Sequence, residues 1–129
     1  MWRVRVSLIR IRMPGFLVLL ITLAACGAAP LPPDPVAGGQ RLFRIWCSGC
    51  HAVTPGSPAA LGPSLAGVAT RAIANSDGLD PDVWLRREII DPDVALTPGY
   101  DPSLMPGNYG QLLRSEELDA LVAYMLTLE

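Results

Sequence analysis

Two cysteines and a histidine stand within five positions, in the stretch CSGCH that runs from Cys47 to His51. His51 is the single histidine among the 129 residues. Four explanations compete for this pattern: a redox-active dithiol, part of a zinc site, a covalent haem attachment site, and chance. They differ in what they require from the rest of the chain.

Haem attachment is the explanation that needs no further residue. A structural zinc site needs four protein ligands, and once Cys26 is assigned to another role, below, this motif supplies only three sulfur or imidazole donors. A thioredoxin-like dithiol needs a strand that leads into a helix, and the sequence has no alternating strand pattern. Two thiols at this spacing add to both vinyl groups of one porphyrin, and the histidine that follows reaches the iron. The motif therefore predicts one haem c bound through Cys47 and Cys50, with His51 as an iron ligand.

Met105 is the predicted sixth ligand of the iron. Met1 and Met13 lie in a segment that we assign below to export. Met125 belongs to SEELDALVAYMLTL, whose apolar positions follow the spacing of one helix face, so it is expected in the core, with Ser115 as the N-cap of that helix. Met105 stands in DPSLMPGNYG, rich in proline and glycine, where no helical stripe includes it.

Residues 1–25 are predicted to be a lipoprotein signal peptide. Four arginines and no acidic residue precede an apolar run of about 11 residues, which is too short to span a bilayer comfortably. The run ends in LAAC, residues 23–26, which is similar to the lipobox of bacterial lipoproteins. Cys26 is therefore expected to become the first residue of the mature protein and to carry a lipid anchor with enough acyl chains for stable attachment.

The predicted mature protein is a tethered acidic domain. Residues 26–35 are expected to be the lipidated cysteine and a proline-rich tether, and residues 36–129 the folded domain. The chain has no lysine, and six arginines outside the signal peptide face 12 acidic residues, a net charge of −6. This balance disfavours nucleic acid as a partner, since phosphate contacts need a basic face.

From about Val36 to Leu128 the chain resembles class I cytochrome c, the small all-helical haem carriers. The family places a glycine and an aromatic residue ahead of the haem motif, and Gly39 and Phe43 keep those intervals to Cys47. The resemblance implies an all-α fold of three to five short helices wrapped around one covalently attached haem. It also implies that the first and last helices cross, with Gly39 and Phe43 against Leu121 and Tyr124.

A second set of matching residues follows the motif. The stretch GPSLAG, residues 62–67, is similar to a loop of the family. The resemblance implies that the Pro63 carbonyl accepts a hydrogen bond from Nδ1 of His51, leaving Nε2 for iron. It also implies that Arg71 lies near a haem propionate, although a solvated arginine fits the sequence nearly as well.

The stretch WLRREIIDPDVALTPGYDPSLMP, residues 84–106, is similar to a pattern in bacterial cytochrome domains, including those fused to copper-bearing subunits of terminal oxidases. Asp82 is predicted to cap a helix here, and Asp91-Pro92 to end it. Trp84 and Tyr100 fit equally well as core residues or as neighbours of the haem.

These features predict a membrane-anchored single-electron carrier, either a free tethered protein or a cytochrome subunit of a respiratory or photosynthetic complex. The expected partners are a quinol-oxidising complex, a terminal oxidase or a reaction centre, on the outer face of the cell membrane. No catalytic residue and no small-molecule substrate are expected, because a peroxidase needs distal acid and base groups and the one histidine is assigned to the iron. The alternative is a haem-based gas sensor or ligand binder in which Met105 does not coordinate.

Overall fold

The computed structural model describes residues 30–58, 60–75 and 78–129. The regular secondary structure of these residues is helical. The described residues contain no strand, which confirms the predicted all-α class. The predicted signal peptide and Cys26 lie outside these ranges. The elements in chain order are α1 (Pro35–Trp46), α2 (Val68–Asn75), α3 (Pro81–Ile90), a 3₁₀ helix (Pro102–Leu104), α4 (Tyr109–Leu112) and α5 (Ser115–Met125).

The folded unit begins within the proline-rich segment, at Leu31. Asp34 caps α1, and its carboxylate accepts hydrogen bonds from the backbone N–H groups of Val36 at 3.3 Å and Ala37 at 3.2 Å. Pro35 occupies the first helical turn, where its missing N–H is not needed. Leu31 packs against the hydrophobic core. The last part of the segment predicted as a tether is therefore the start of the folded unit.

Helices α1 and α5 cross at Gly39. A Cβ atom at this glycine would lie 1.9 Å from the carbonyl oxygen of Ala120 and 2.7 Å from the Cβ of Tyr124. The rings of Phe43 and Tyr124 pack in a tilted arrangement, with their centroids 5.6 Å apart and their planes at 51°. The family's pairing of a glycine with an aromatic residue is therefore present in this structure. The backbone nearest to the glycine is that of Ala120, one position before the predicted Leu121.

Helix α3 has one end as predicted and one end displaced. It stops at Ile90, immediately before the Asp91-Pro92 pair that was predicted to end it. Its N-cap is Asp80, so the prediction of Asp82 as the cap is wrong, and Asp82 lies in the first turn instead. Pro81 accounts for the difference because it favours the first helical position.

Helix α5 also begins one residue away from the predicted cap. Its N-cap is Arg114, whose backbone N–H donates to the Glu117 carboxylate at 2.9 Å. Ser115 is the first helical residue, so its prediction as the N-cap is wrong. The Glu117 side chain satisfies the backbone N–H of the N-cap residue. The prediction of Ser115 considered only the preference for serine at helix starts and not this contact.

One hydrophobic core joins the helices, and α5 contributes the largest share of it. Leu121 is 1% exposed, and Met125, as predicted, is buried with it. None of the described helices is long and apolar enough to cross a membrane. The buried cluster comprises Leu42, Phe43, Val68, Ala72, Leu85, Ile89, Tyr109, Leu113, Leu118, Ala120, Leu121, Val122, Tyr124 and Met125.

The two adjacent glycines of α1 provide a matched test of the crossing. We expect Gly39→Ala to destabilise the protein by about 3 kcal/mol, the upper part of the range for overpacking, since the clash is with backbone. Gly38→Ala should be neutral or slightly stabilising, because its Cβ would lie 3.6 Å or more from its neighbours and alanine favours helix. Urea unfolding followed by circular dichroism measures both, and equal effects would contradict the crossing as described.

Candidate functional site

His51 is held by a backbone carbonyl. Its Nδ1 lies 2.7 Å from the carbonyl oxygen of Pro63. Because a carbonyl oxygen only accepts, Nδ1 carries the hydrogen and donates it, and Nε2 is left with its lone pair. This is the tautomer in which a histidine binds a metal through Nε2, with its other ring nitrogen fixed by a second group.

The loop that carries Pro63 runs alongside the CSGCH motif. The backbone N–H of Gly62 donates to the carbonyl of Cys50 at 2.9 Å, and that of Leu65 donates to the carbonyl of Ala52 at 2.8 Å. Gly62 lies against the imidazole, because a Cβ there would stand 2.5 Å from Cε1 of His51. A glycine at this position is what allows the loop to approach the ring.

The two cysteines follow directly from the end of α1. Cys47 is the C-cap residue of that helix, and its carbonyl accepts hydrogen bonds from the N–H groups of Cys50 at 3.0 Å and His51 at 2.9 Å. This turn places three of the predicted site residues side by side. Burial raises the pKa of the Cys47 thiol to about 11, and the neighbouring Cys50 adds to the effect.

A cavity of about 720 Å³ opens beside this turn. Its volume lies within the range of roughly 300–1,000 Å³ that is usual for ligand pockets. All six of the site residues predicted within the described ranges line it: Cys47, Cys50, His51, Pro63, Arg71 and Met105. The seventh, Cys26, falls outside the described residues.

Two methionines contribute to the cavity wall. Met105, half-buried, directly follows the 3₁₀ helix in the loop between α3 and α4. Met125 is 5% exposed and belongs to α5. Both line the cavity. The sequence assigned Met125 to the core alone, and in the structure it is a core residue that also faces this space.

The short helix before Met105 has its own cap. The carboxylate of Asp101 accepts hydrogen bonds from the backbone N–H of Ser103 at 2.9 Å and from its hydroxyl at 2.7 Å. These bonds hold the pKa of the Asp101 carboxyl below its usual value. The cap fixes the backbone two to four residues ahead of the methionine.

Several residues of the cavity wall were not predicted from the sequence. Tyr109, buried in α4, donates its hydroxyl to the carbonyl of Trp46 at 3.3 Å. Burial raises the pKa of Tyr109, and the two cysteines contribute. Glu88 also lines the cavity, 3.0 Å from a guanidinium nitrogen of Arg87. Their types and spacing carry no motif, so only tertiary structure identifies them.

Two aromatic residues left undecided by the sequence, Trp84 and Tyr100, both line the cavity. Trp84 also packs against the hydrophobic core, so the two interpretations of this residue are compatible. Tyr100 is half-buried in the loop between α3 and the 3₁₀ helix.

The competing explanations of the motif find little support in this geometry. Within residues 30–58, 60–75 and 78–129, no three histidine, cysteine, aspartate or glutamate side chains are grouped so as to hold a metal ion, as a zinc site requires. A redox-active dithiol needs a cysteine with a lowered pKa, whereas burial raises that of Cys47.

The residues present fit haem c. Two thiols and a single imidazole with a fixed tautomer adjoin an open cavity whose wall is mainly apolar, and two thioether side chains line the same space. Imidazole and thioether are ligands of haem iron, and paired thiols form its covalent links. Cys47, Cys50, His51 and Met105 are the residues that would hold the group.

Two comparisons with known proteins identify the family of this chain. Residues 36–129 match the family model described as cytochrome c. The chain is 37% identical over 109 residues to a protein named cytochrome c oxidase subunit 2 from Bacillus sp. (strain PS3). That alignment covers 78% of this chain and 28% of the Bacillus protein, so the chain spans little more than a quarter of its relative. The sequence resemblance is confirmed by these matches: this chain belongs to the cytochrome c family.

Proposed function

We propose that this protein is a membrane-anchored single-electron carrier that holds one haem c between His51 and Met105. Membership of the cytochrome c family implies haem-based electron transfer. The observation that supports the ligand assignment best is the 2.7 Å hydrogen bond from Nδ1 of His51 to Pro63, which leaves Nε2 available beside both cysteines.

The protein side chains have two separate tasks in this proposal. Cys47 and Cys50 would hold the porphyrin covalently through their two thiols. His51 and Met105 would bind the iron from their imidazole and thioether groups, and would leave no iron site for a substrate. When bound, the haem iron supplies one-electron oxidation and reduction, and a thioether ligand raises its potential.

The apolar wall of the cavity excludes water from the group. Leu85 and Ile89 of α3 and Leu121 and Met125 of α5 line the cavity and are at most 5% exposed. An apolar environment reduces the rearrangement that accompanies a change of charge on the group, since few mobile dipoles surround it. Fast exchange of single electrons depends on such small rearrangement.

The rim of the cavity fits a transient contact with redox partners. Four large apolar side chains line the cavity and remain 42–62% exposed. They are Trp46, Leu61, Leu96 and Leu104. Small interfaces of this kind suit weak, rapidly dissociating complexes. The proposed acceptor is a terminal oxidase, since the relative is named as an oxidase subunit, and the proposed donor is a quinol-oxidising complex.

The optical spectrum of the purified mature protein tests this function. We expect a low-spin spectrum of thioether-linked haem in both oxidation states, unchanged by carbon monoxide, because His51 and Met105 would both bind the iron and leave no position for it. A high-spin or carbon-monoxide-binding spectrum would instead support the sensor or ligand-binder alternative, with Met105 displaced.

The two cavity methionines distinguish the ligand from a wall residue. Met105→Ala should open the iron to carbon monoxide and lower the midpoint potential, since the thioether favours the ferrous state. Met125→Leu, a volume-conserving change in the core, should leave carbon monoxide binding absent. Absorption spectra of both reduced variants under carbon monoxide measure this. If Met125→Leu bound carbon monoxide and Met105→Ala did not, Met125 would be the iron ligand instead of Met105.

Gly62→Ala should displace the imidazole of His51, because the added Cβ would stand 2.5 Å from Cε1. We expect a fall in the yield of low-spin haem protein and a destabilisation of about 1–3 kcal/mol, as for other overpacked sites. Gly49→Ala, within the motif, has nothing within 4 Å of its Cβ and serves as the control. Spectra and urea unfolding of the two variants provide the comparison, and a normal Gly62→Ala protein would show that the ring has room.

The proposed lipid anchor is tested at Cys26. Cys26→Ala should move the protein from the membrane to the soluble fraction, because the thiol that receives the diacylglycerol is gone. Gly27→Ala keeps that cysteine and should stay in the membrane fraction. Fractionation of cells that express each variant, with detection of covalent haem, measures both. Retention of Cys26→Ala in the membrane would point to a different anchor.

A further inference from the structure

The guanidinium of Arg71 bridges two carbonyls of the loop that holds His51. Its Nη1 donates to the carbonyl of Ala66 at 2.6 Å, and its Nη2 donates to the carbonyl of Ser64 at 2.8 Å. Ser64 directly follows Pro63, whose carbonyl accepts the hydrogen bond from the imidazole. The arginine is therefore one residue removed from the group that fixes the iron ligand.

This loop has little freedom to move. Gly62 has no space for a Cβ against the imidazole, and Pro63 must keep its oxygen within hydrogen-bonding distance of Nδ1. Hydrogen bonds from the loop to Cys50 and Ala52 hold its edge on the motif side. The side turned towards α2 is held by the guanidinium of Arg71.

The arginine itself projects from a fixed support. Helix α2 follows Gly67, whose φ of 70° turns the chain out of the loop, and the N–H of Arg71 donates to the Gly67 carbonyl at 3.1 Å. The N–H of Ala69 donates to the carbonyl of Leu128 at 3.1 Å, and Ala72 is fully buried. The first turn of α2 is thus tied to the end of the chain and to the core.

We propose that Arg71 is a positioning residue for the iron ligand: by bridging the Ser64 and Ala66 carbonyls, it holds the Pro63 oxygen on Nδ1 of His51. The proposal rests on the function proposed above, in that His51 binds the iron. It differs from a role for Arg71 as a positive charge beside a propionate, because it acts through the geometry of the loop.

Lysine separates the two roles. Arginine presents two parallel N–H donors in a rigid fork, whereas lysine is a single mobile charged group. Arg71→Lys therefore keeps the charge and loses the bridge. Arg71→Gln loses both the charge and the fork.

The two roles also predict different changes in midpoint potential. A hydrogen bond from Nδ1 makes the imidazole a stronger donor to the iron, which favours the ferric state. Loosening the loop therefore raises the potential, and it does so in Arg71→Lys without any change of charge. Removal of a nearby positive charge favours the ferric state and lowers the potential, so a role through charge alone predicts wild-type behaviour for Arg71→Lys.

The experiment measures hydrogen exchange of the His51 Nδ1–H by NMR in the reduced holoprotein, together with the midpoint potential. We expect about tenfold faster exchange in Arg71→Lys and Arg71→Gln, the effect of losing roughly one hydrogen bond in the bracing of the loop. The potential of Arg71→Lys should rise. Arg86→Gln removes a charge of α3 that is paired with Asp119 of α5, and the protein should exchange at the wild-type rate.

Each other outcome has a definite meaning. Wild-type exchange and potential in Arg71→Lys overturn the positioning role and leave the charge role. Equal acceleration in Arg86→Gln also overturns it, because the effect would then be a general loosening of the fold. Failure of the proposed function is distinguishable, since the wild-type protein itself would then lack a low-spin, histidine-bound haem.

Discussion

The hydrogen bond between His51 and Pro63 is the interaction on which the arrangement of the site depends. It selects the tautomer of the only imidazole in the chain, and therefore which ring nitrogen is left free to bind a metal. It also requires the loop to approach the ring closely enough that Gly62 has no room for a side chain. The orientation of His51 thus requires the loop at Gly62 and Pro63 to lie directly against the ring. Backbone hydrogen bonds from this loop to Cys50 and Ala52 hold it there.

The core and the cavity share side chains, so the stability of the fold and the shape of the site are linked. Leu121 and Met125 belong both to the buried cluster and to the cavity wall. Their positions follow from the crossing of α1 with α5, where Gly39 lets the two backbones touch. A change at the crossing therefore reaches the wall of the cavity through α5, although Gly39 itself does not line it.

The sequence was most informative where a feature depends on residues close together in the chain. CSGCH, the GPSLAG loop and Asp91-Pro92 are local patterns, and the structure places the first two beside each other and ends α3 at the third. The observed N-cap of α3 lies two residues before the predicted one, because Pro81 favours the first helical position. The observed N-cap of α5 lies one residue before the predicted one, where the Glu117 side chain accepts a hydrogen bond from the N-cap backbone.

Other parts of the site depend on tertiary contacts that have no local signature. The Tyr109 hydroxyl donates a hydrogen bond to the Trp46 carbonyl across a separation of 63 residues. No sequence motif around either residue predicts this hydrogen bond. The hydrogen bonds of Arg71 to two loop carbonyls were also not predicted from the sequence. From the sequence, its side chain was expected near a haem propionate or in solvent. A guanidinium has several possible partners, and the path of the loop decides between them.

Two contacts that shape the cavity differ in the chain entropy that is lost when each one forms. The His51–Pro63 bond closes a segment of 12 residues, whereas the contact of Gly39 with Ala120 joins positions 81 residues apart. By the logarithmic dependence on loop length, the longer closure costs about 1.7 kcal/mol more. The imidazole side of the cavity is therefore closed at a smaller entropic cost than the crossing of the terminal helices, whose buried side chains must offset the difference.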